Sequence, residues 1–206
     1  MRIKLNRRTF IITIFLALLP FQAGADDTAQ NLPRGIITVD GRDAPPLVLN
    51  DINGDSFDLS QYRGKWVFTH FWASWCGPCR REMPTIQAID AEFKDSGLVI
   101  VLINTAEDED TVFDFLGTVA PDMNTLLDSD GLATEQWQPR GLPSTYFVDP
   151  EGRLRYIALG GRPWDKGAYL GFLKGLLLED CFPFYVLTSA LLLNDYRSAL
   201  LELPGG

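Results

Sequence analysis

The sequence predicts an α/β fold: a mixed central sheet with helices on both faces, entered through a short N-terminal β-hairpin. Three observations predict it. Residues 65–72 and 98–103 are apolar runs rich in Val, Ile, Leu, Phe and Trp, with the length and composition of buried strands. Each is followed by a stretch with helical spacing, giving the order strand, helix, strand, helix. Near the end, Asp149-Pro150-Glu151-Gly152 joins two strand-like runs, 144–148 and 154–159, as a turn joins a hairpin, and a further helical stretch closes the chain.

Residues 1–25 read as a signal peptide. Arg2, Lys4, Arg7 and Arg8 make a basic start, 10–19 an apolar stretch, and Ala23-Gly24-Ala25 puts small residues where a signal peptidase cleaves. The apolar stretch is shorter than the roughly 20 residues of a membrane span, and an uncleaved anchor is the alternative. Arg7-Arg8 leaves both common export routes open. The expected location is therefore the periplasm. Residues 26–43 are polar and punctuated by Gly and Pro, which predicts a flexible leader, and Ala44-Pro45-Pro46 opens a folded body over 44–178.

Residues 47–49 and 56–59 flank a segment containing Asn53-Gly54, a strong hairpin signal. After the strand at 65–72, a helix is expected over 78–95 with Met83, Ile86, Ile89 and Phe93 on one side and a kink at Pro84. The strand at 98–103 leads to a helix at 108–119, whose acidic first turn suits the positive end of the helix dipole and whose stripe is Val112, Phe115, Leu116 and Val119. A short strand at 124–127, a short helix at 131–136, the hairpin and a helix at 165–178 complete the body. Residues 179–206 form an expected helical extension without an assigned role. Its apolar stretch, 182–193, is too short to span a membrane, and Leu187, Leu191 and Tyr196 share one helix face.

The net charge is −9, and without residues 1–25 the chain carries 14 bases against 27 acids, or −13. Such a body repels phosphate backbones, so nucleic acid is not an expected partner. Of the three cysteines, Cys76 and Cys79 form a Cys-x-x-Cys and Cys181 stands alone. In an oxidising compartment paired thiols persist as disulfides unless something keeps them reduced. Cys181 reads as a buried thiol, a dimer bridge or an oxidation target.

A strand running into Cys76-Gly77-Pro78-Cys79 at a helix start carries the chemistry. The helix N-terminus offers free N–H groups and partial positive charge, both favouring thiolate at Cys76. Pro78 sits where a missing N–H costs nothing, and Gly77 leaves room for a substrate chain. Cys79 lies one turn along. The expected reaction is attack by Cys76 on a partner's disulfide, then resolution by Cys79, with no cofactor. The alternatives are a plain structural disulfide or half of a zinc site, which needs four ligands, whereas the chain offers no second Cys-x-x-Cys and only one His.

The residues from Phe71 to Cys79, Phe-Trp-Ala-Ser-Trp-Cys-Gly-Pro-Cys, resemble the active-site strand and turn of thioredoxins. Arg80-Arg81-Glu82-Met83-Pro84 resembles the exported TlpA/ResA-like branch of that superfamily. So do Gly141-Leu142-Pro143-Ser144-Thr145, which resembles its cis-proline segment, and the openings Leu49-Asn50-Asp51-Ile52-Asn53-Gly54 and Tyr62-Arg63-Gly64-Lys65-Trp66. The resemblance covers about residues 44–178. It implies a thioredoxin-like sheet with a helix–strand insertion between 103 and 140. It implies a redox-active disulfide Cys76–Cys79, with Cys76 attacking and Cys79 resolving, and a cis-proline at Pro143 facing the pair. It also implies that the Leu142 backbone pairs with a bound peptide as an added strand, and that Trp75 covers one side of the sulfur site, a packed core aromatic being the alternative.

Two positions need their own reading: His70 departs from that pattern, whereas at Glu82 the chain carries the acid that in the resembling branch sits near the pair. His70 is the sole histidine, six residues before Cys76, where thioredoxins carry a buried acid and the exported branch an amide. It is read as moving the proton of Cys79, or as a hydrogen-bonded core histidine. Glu82, three residues after Cys79, is read as tuning the pair, or as a solvated acid of the first helical turn. Arg80 and Arg81 stabilise the thiolate, contact acidic partners, or are solvated.

The expected function is a protein disulfide reductase acting on cysteine-containing exported proteins. In this branch those are often apocytochromes c or copper-site proteins, reduced in turn through an upstream donor such as a membrane thiol-transfer protein. The rivals are a disulfide oxidase or isomerase, and a non-enzymatic copper carrier using Cys76, Cys79 and Met83. The Pro-x-x-x-Thr-x-x-Cys arrangement of peroxidases is not found in the chain.

Overall fold

The computed structural model describes residues 32–179. The expected signal peptide, residues 26–31 of the expected leader, Cys181 and the C-terminal extension from residue 180 lie outside the described residues.

Apart from the first strand and a 3-10 turn, the elements follow the order read from the sequence. β1 (Ile36–Thr38) precedes the hairpin of β2 (Val48–Asn50) and β3 (Ser56–Asp58), and a 3-10 turn (Leu59–Tyr62) leads to β4 (Trp66–Trp72). Then come α1 (Gly77–Phe93), β5 (Leu98–Thr105), α2 (Glu109–Val119), β6 (Leu126–Asp128) and α3 (Leu132–Trp137). β7 (Ser144–Val148), β8 (Leu154–Leu159) and α4 (Gly167–Glu179) complete the fold. α1 runs through Pro84 without interruption.

Six strands form one sheet in the order β1-β8-β7-β4-β5-β6, and β2–β3 stand apart as a two-stranded hairpin. β4, β5 and β6 are parallel, whereas β7, β8 and β1 each pair antiparallel with their neighbour. The mixed sheet is thus as expected. β4 lies at its centre with every residue buried, which is why its sequence shows no polar alternation. Its side chains still divide by period two. Phe68 and Trp72 enter a core with Met83, Ile86, Leu102 and Trp164, while Val67 and Phe71 enter one with Leu47, Trp137 and Tyr146.

The leader expectation needs correction. Residues 32–43 belong to the folded unit: Ile36, Ile37 and Thr38 pair with Ala158, Ile157 and Tyr156. The pairing continues through the Val39 N–H to the Arg155 carbonyl and the Ala44 N–H to the Gly152 carbonyl, both at 3.0 Å. Three β-branched residues suffice because β8 offers a ready edge, and three residues are too few to show a period.

Register sets the place of the site. Phe71 pairs with Ser144, Trp72 with Asn104, and Ser144 with Leu159. The loops at 73–76, 106–108, 141–143 and 160–163 therefore leave the sheet at one end.

Candidate active site

β4 delivers the chain to Cys76, the N-cap of α1. The Cys79 N–H donates to Cys76 Sγ at 3.2 Å, and the Arg80 N–H to the Cys76 carbonyl at 3.1 Å. One N–H of the first helical turn thus points at the Cys76 sulfur, where it would favour negative charge. Cys76 and Cys79 form a disulfide with Cα atoms 5.3 Å apart. Both sulfurs are buried, Cys76 at 4% exposure and Cys79 fully. A Cβ on Gly77 would meet the Arg81 guanidinium at 3.6 Å, an ordinary contact, so the packing alone does not demand glycine there.

The Leu142–Pro143 peptide bond is cis. The Pro143 carbonyl accepts from the Gly160 N–H at 2.9 Å, and the Ser144 hydroxyl donates to the Gly141 carbonyl at 2.6 Å. Among the described residues the Leu142 backbone has no intramolecular hydrogen-bond partner, although its side chain packs against both cores. Trp75 is 70% exposed, which excludes the packed-core alternative.

His70 and Glu82 come together. His70 is fully buried on β4, its ring stacked 5.8 Å from Phe68 and its Nδ1 2.9 Å from Thr145 Oγ1. Its Nε2 faces Glu82 Oε1 at 3.3 Å, close enough for an ion pair but off the line of a hydrogen bond. Glu82 is 3% exposed, so the expectation of a solvated acid does not hold. Its Oε2 accepts from the Arg162 N–H at 2.8 Å and from Trp164 Nε1 at 3.2 Å. A carboxylate tolerates burial when donors replace water, and here the Arg162 and Trp164 N–H groups do so at Oε2, while Oε1 faces His70 without a hydrogen bond.

Beside the pair, Pro78, Arg81, Glu82, Gly161 and Arg162 line a cleft of about 350 Å³. A Cβ on Gly161 would stand 3.3 Å from the Pro78 carbonyl oxygen, so this loop closes on the turn as tightly as glycine allows. Met83, the third sulfur of the copper-carrier alternative, is fully buried in the core. Among the described residues no group of three or more His, Cys, Asp or Glu is placed to hold a metal ion.

Sequence reasoning missed Thr145, Arg162, Trp164, Ser74, Asn104 and Glu107. Arg162 contributes its backbone, which no side-chain pattern reveals, and Trp164, in the short polar link before the last helix, was the one residue whose type hinted at burial.

Residues 41–157 match the AhpC/TSA family. The chain belongs to that family. Within it, the chain stands with thiol–disulfide oxidoreductases: it is 32% identical to the thiol-disulfide oxidoreductase ResA of Bacillus subtilis over 76% of this chain and 88% of that one. A solved structure assigned as the thiol:disulfide interchange protein DsbE of Chlorobium tepidum is 29% identical, with a TM-score of 0.62 over 68% of this chain and 99% of its own. The exposed lipoprotein thioredoxin Etrx1 of Streptococcus pneumoniae is 28% identical, with a TM-score of 0.56 over 64% of this chain and 99% of its own. The family thus has the thioredoxin-like fold expected from the motifs.

Proposed function

We propose that this AhpC/TSA-family chain is an exported protein disulfide reductase working in the periplasm on cysteine-containing exported proteins. The observation that carries the reading is the Cys76–Cys79 disulfide at the N-terminus of α1, at the sheet end that also holds the cis Leu142–Pro143 bond.

In the reduced enzyme, Cys76 thiolate attacks one sulfur of a partner's disulfide. A Cys76–partner bond forms as the partner's S–S bond breaks, and the partner's other sulfur leaves as thiolate. Cys79, giving up its proton, attacks Cys76 Sγ, and the partner's second sulfur leaves. Two electrons pass to the partner, which takes up two protons, and the enzyme ends as the disulfide. An upstream dithiol donor, such as a membrane thiol-transfer protein, restores it.

The unpartnered Leu142 backbone suits an incoming extended segment, which would pair there as an added strand while exposed Trp75 covers its flank. His70 and Glu82 form the buried path for the Cys79 proton: Glu82 lies one helical turn beyond Cys79 and faces His70. Apocytochromes c and copper-site proteins are the partner classes that fit the resemblance. The Gly-Pro pair between the cysteines favours the reducing direction.

Titration with glutathione tests the direction. A potential near about −270 mV supports the reductase, and one near about −120 mV makes the chain an oxidant. Cys79→Ala should freeze the mixed disulfide on Cys76 and allow the captured protein to be identified by mass spectrometry.

A further inference from the structure

One carboxylate beside Cys76 has no part in the exchange as described. β5 ends at Thr105, and Ala106 follows with φ at 56°, a left-handed value that costs free energy for any residue but glycine. The Ala106 N–H donates to the Asp128 carbonyl at 3.0 Å, which holds the turn. Glu107 is thereby sent back across the end of the sheet to the loop between β4 and Cys76. Its Oε2 accepts from the Ser74 N–H at 2.7 Å and its Oε1 from the Ser74 hydroxyl at 2.5 Å.

Glu107 is itself held. Asn104, 1% exposed and paired in register with Trp72, donates Nδ2 to Glu107 Oε2 at 2.7 Å. From the other side, Arg80 lies over the Phe115 ring and donates to the Ser74 carbonyl at 3.4 Å. Every polar group of Ser74 is therefore engaged. The next residue is exposed Trp75, and the one after is Cys76.

We infer that Glu107 is a positioning residue for the thiol–disulfide exchange. By gripping Ser74 it sets the path on which Trp75 and Cys76 leave β4, and so the place where the Cys76 sulfur meets a disulfide. It also holds a negative charge against the residue two before that sulfur. The grip favours exchange by orientation. The charge opposes thiolate formation at Cys76, as a like charge does. The inference rests on Cys76 being the attacking thiol.

The two effects separate in Glu107→Gln, which keeps an acceptor oxygen for the Ser74 N–H and loses the charge, and in Glu107→Ala, which loses both. The measurements are insulin disulfide reduction with dithiothreitol as donor and iodoacetamide alkylation of reduced Cys76 against pH, read by peptide mass. Glu107→Ala, assayed below its melting temperature, should turn over about tenfold or more slowly, because misplacement of the order of 1 Å costs that much. Glu107→Gln should recover most of the loss and move the alkylation curve to lower pH.

Ser74→Ala, which keeps the N–H contact, should fall between wild type and Glu107→Ala. If Glu107→Ala does not fold, Glu107→Gln and Ser74→Ala still decide. A Glu107→Ala enzyme with wild-type turnover overturns the inference. So does a pair of coincident alkylation curves for wild type and Glu107→Gln together with wild-type turnover in Ser74→Ala. If wild type itself leaves insulin unreduced, the reductase reading falls, while the alkylation curves still judge Glu107.

Discussion

His70 Nε2 and Glu82 Oε1 face each other at 3.3 Å, one from the central strand and one from the active-site helix, both closed off from solvent. Each has other partners, Thr145 for the histidine and Arg162 and Trp164 for the carboxylate, so the pair is fixed from both sides. A proton taken from Cys79 would raise the charge of this pair by one, and its passage between the two members would leave that charge unchanged. His70→Asn should therefore flatten the pH dependence of disulfide exchange while leaving Cys76 alkylation intact. A stopped-flow pH series with an unchanged profile would end the proton-path reading.

Glu82→Ala should destabilise the protein by about 1–3 kcal/mol for each donor left without a partner, namely the Arg162 N–H and Trp164 Nε1. Urea melts of the oxidised protein measure this. Glu82→Gln retains an acceptor oxygen and should recover part of the loss.

Gly35→Ala should be costly although Gly35 lies outside the motif. Its φ is +82°, and an added Cβ would stand 1.8 Å from Arg162 Nη2. The left-handed backbone alone costs about 1–2 kcal/mol for a residue with a Cβ. The guanidinium must also leave its bonds to the Gly161 and Leu159 carbonyls, disturbing the loop whose Arg162 N–H reaches Glu82. The expected result is a lower melting temperature together with slower exchange.

Asp51 makes stability depend on acid. Burial raises its pKa, but hydrogen bonds from Asn124, Asp55 and Asn53 outweigh burial and hold it below the ordinary value. A group with a depressed folded pKa contributes stability that is present above its unfolded value, about 3.9, and lost as pH falls through the folded one. Urea midpoints compared at about pH 7 and pH 3 should drop further for wild type than for Asp51→Asn. Equal drops would remove Asp51 as the cause.

Trp75→Ala should change stability by no more than about 0.5 kcal/mol, as expected for a side chain standing in solvent. Its effect should fall on the apparent KM for protein disulfides rather than on dithiothreitol-driven reduction of small ones. Parallel assays with insulin and a small aromatic disulfide distinguish these.

The fold was legible wherever a period or a turn signal was long enough to count. β4, β5 and the Asn53-Gly54 hairpin show this. β1 was not legible, since Ile36-Ile37-Thr38 gains its structure from the open edge of β8 and not from its own pattern. The cysteine pair could be read because its chemistry is local: four consecutive residues at a helix start. His70 and Glu82 were each visible as unusual residue types, but their contact spans β4 and α1 and needs the fold. Glu107 was hidden for another reason. It precedes an acidic helix start, where Glu109 and Asp110 offer a sufficient local explanation for negative charge, and its link to Ser74 crosses 33 residues of chain.

The outer strands of the six-stranded sheet, β1 and β6, have three residues each. Rims that short give a foreign chain little ladder to extend. On the reductase reading proposed above, the partners reach the sulfur pair as extended polypeptide, and such blunt rims would leave the stretch before Pro143 as the place for that polypeptide to pair.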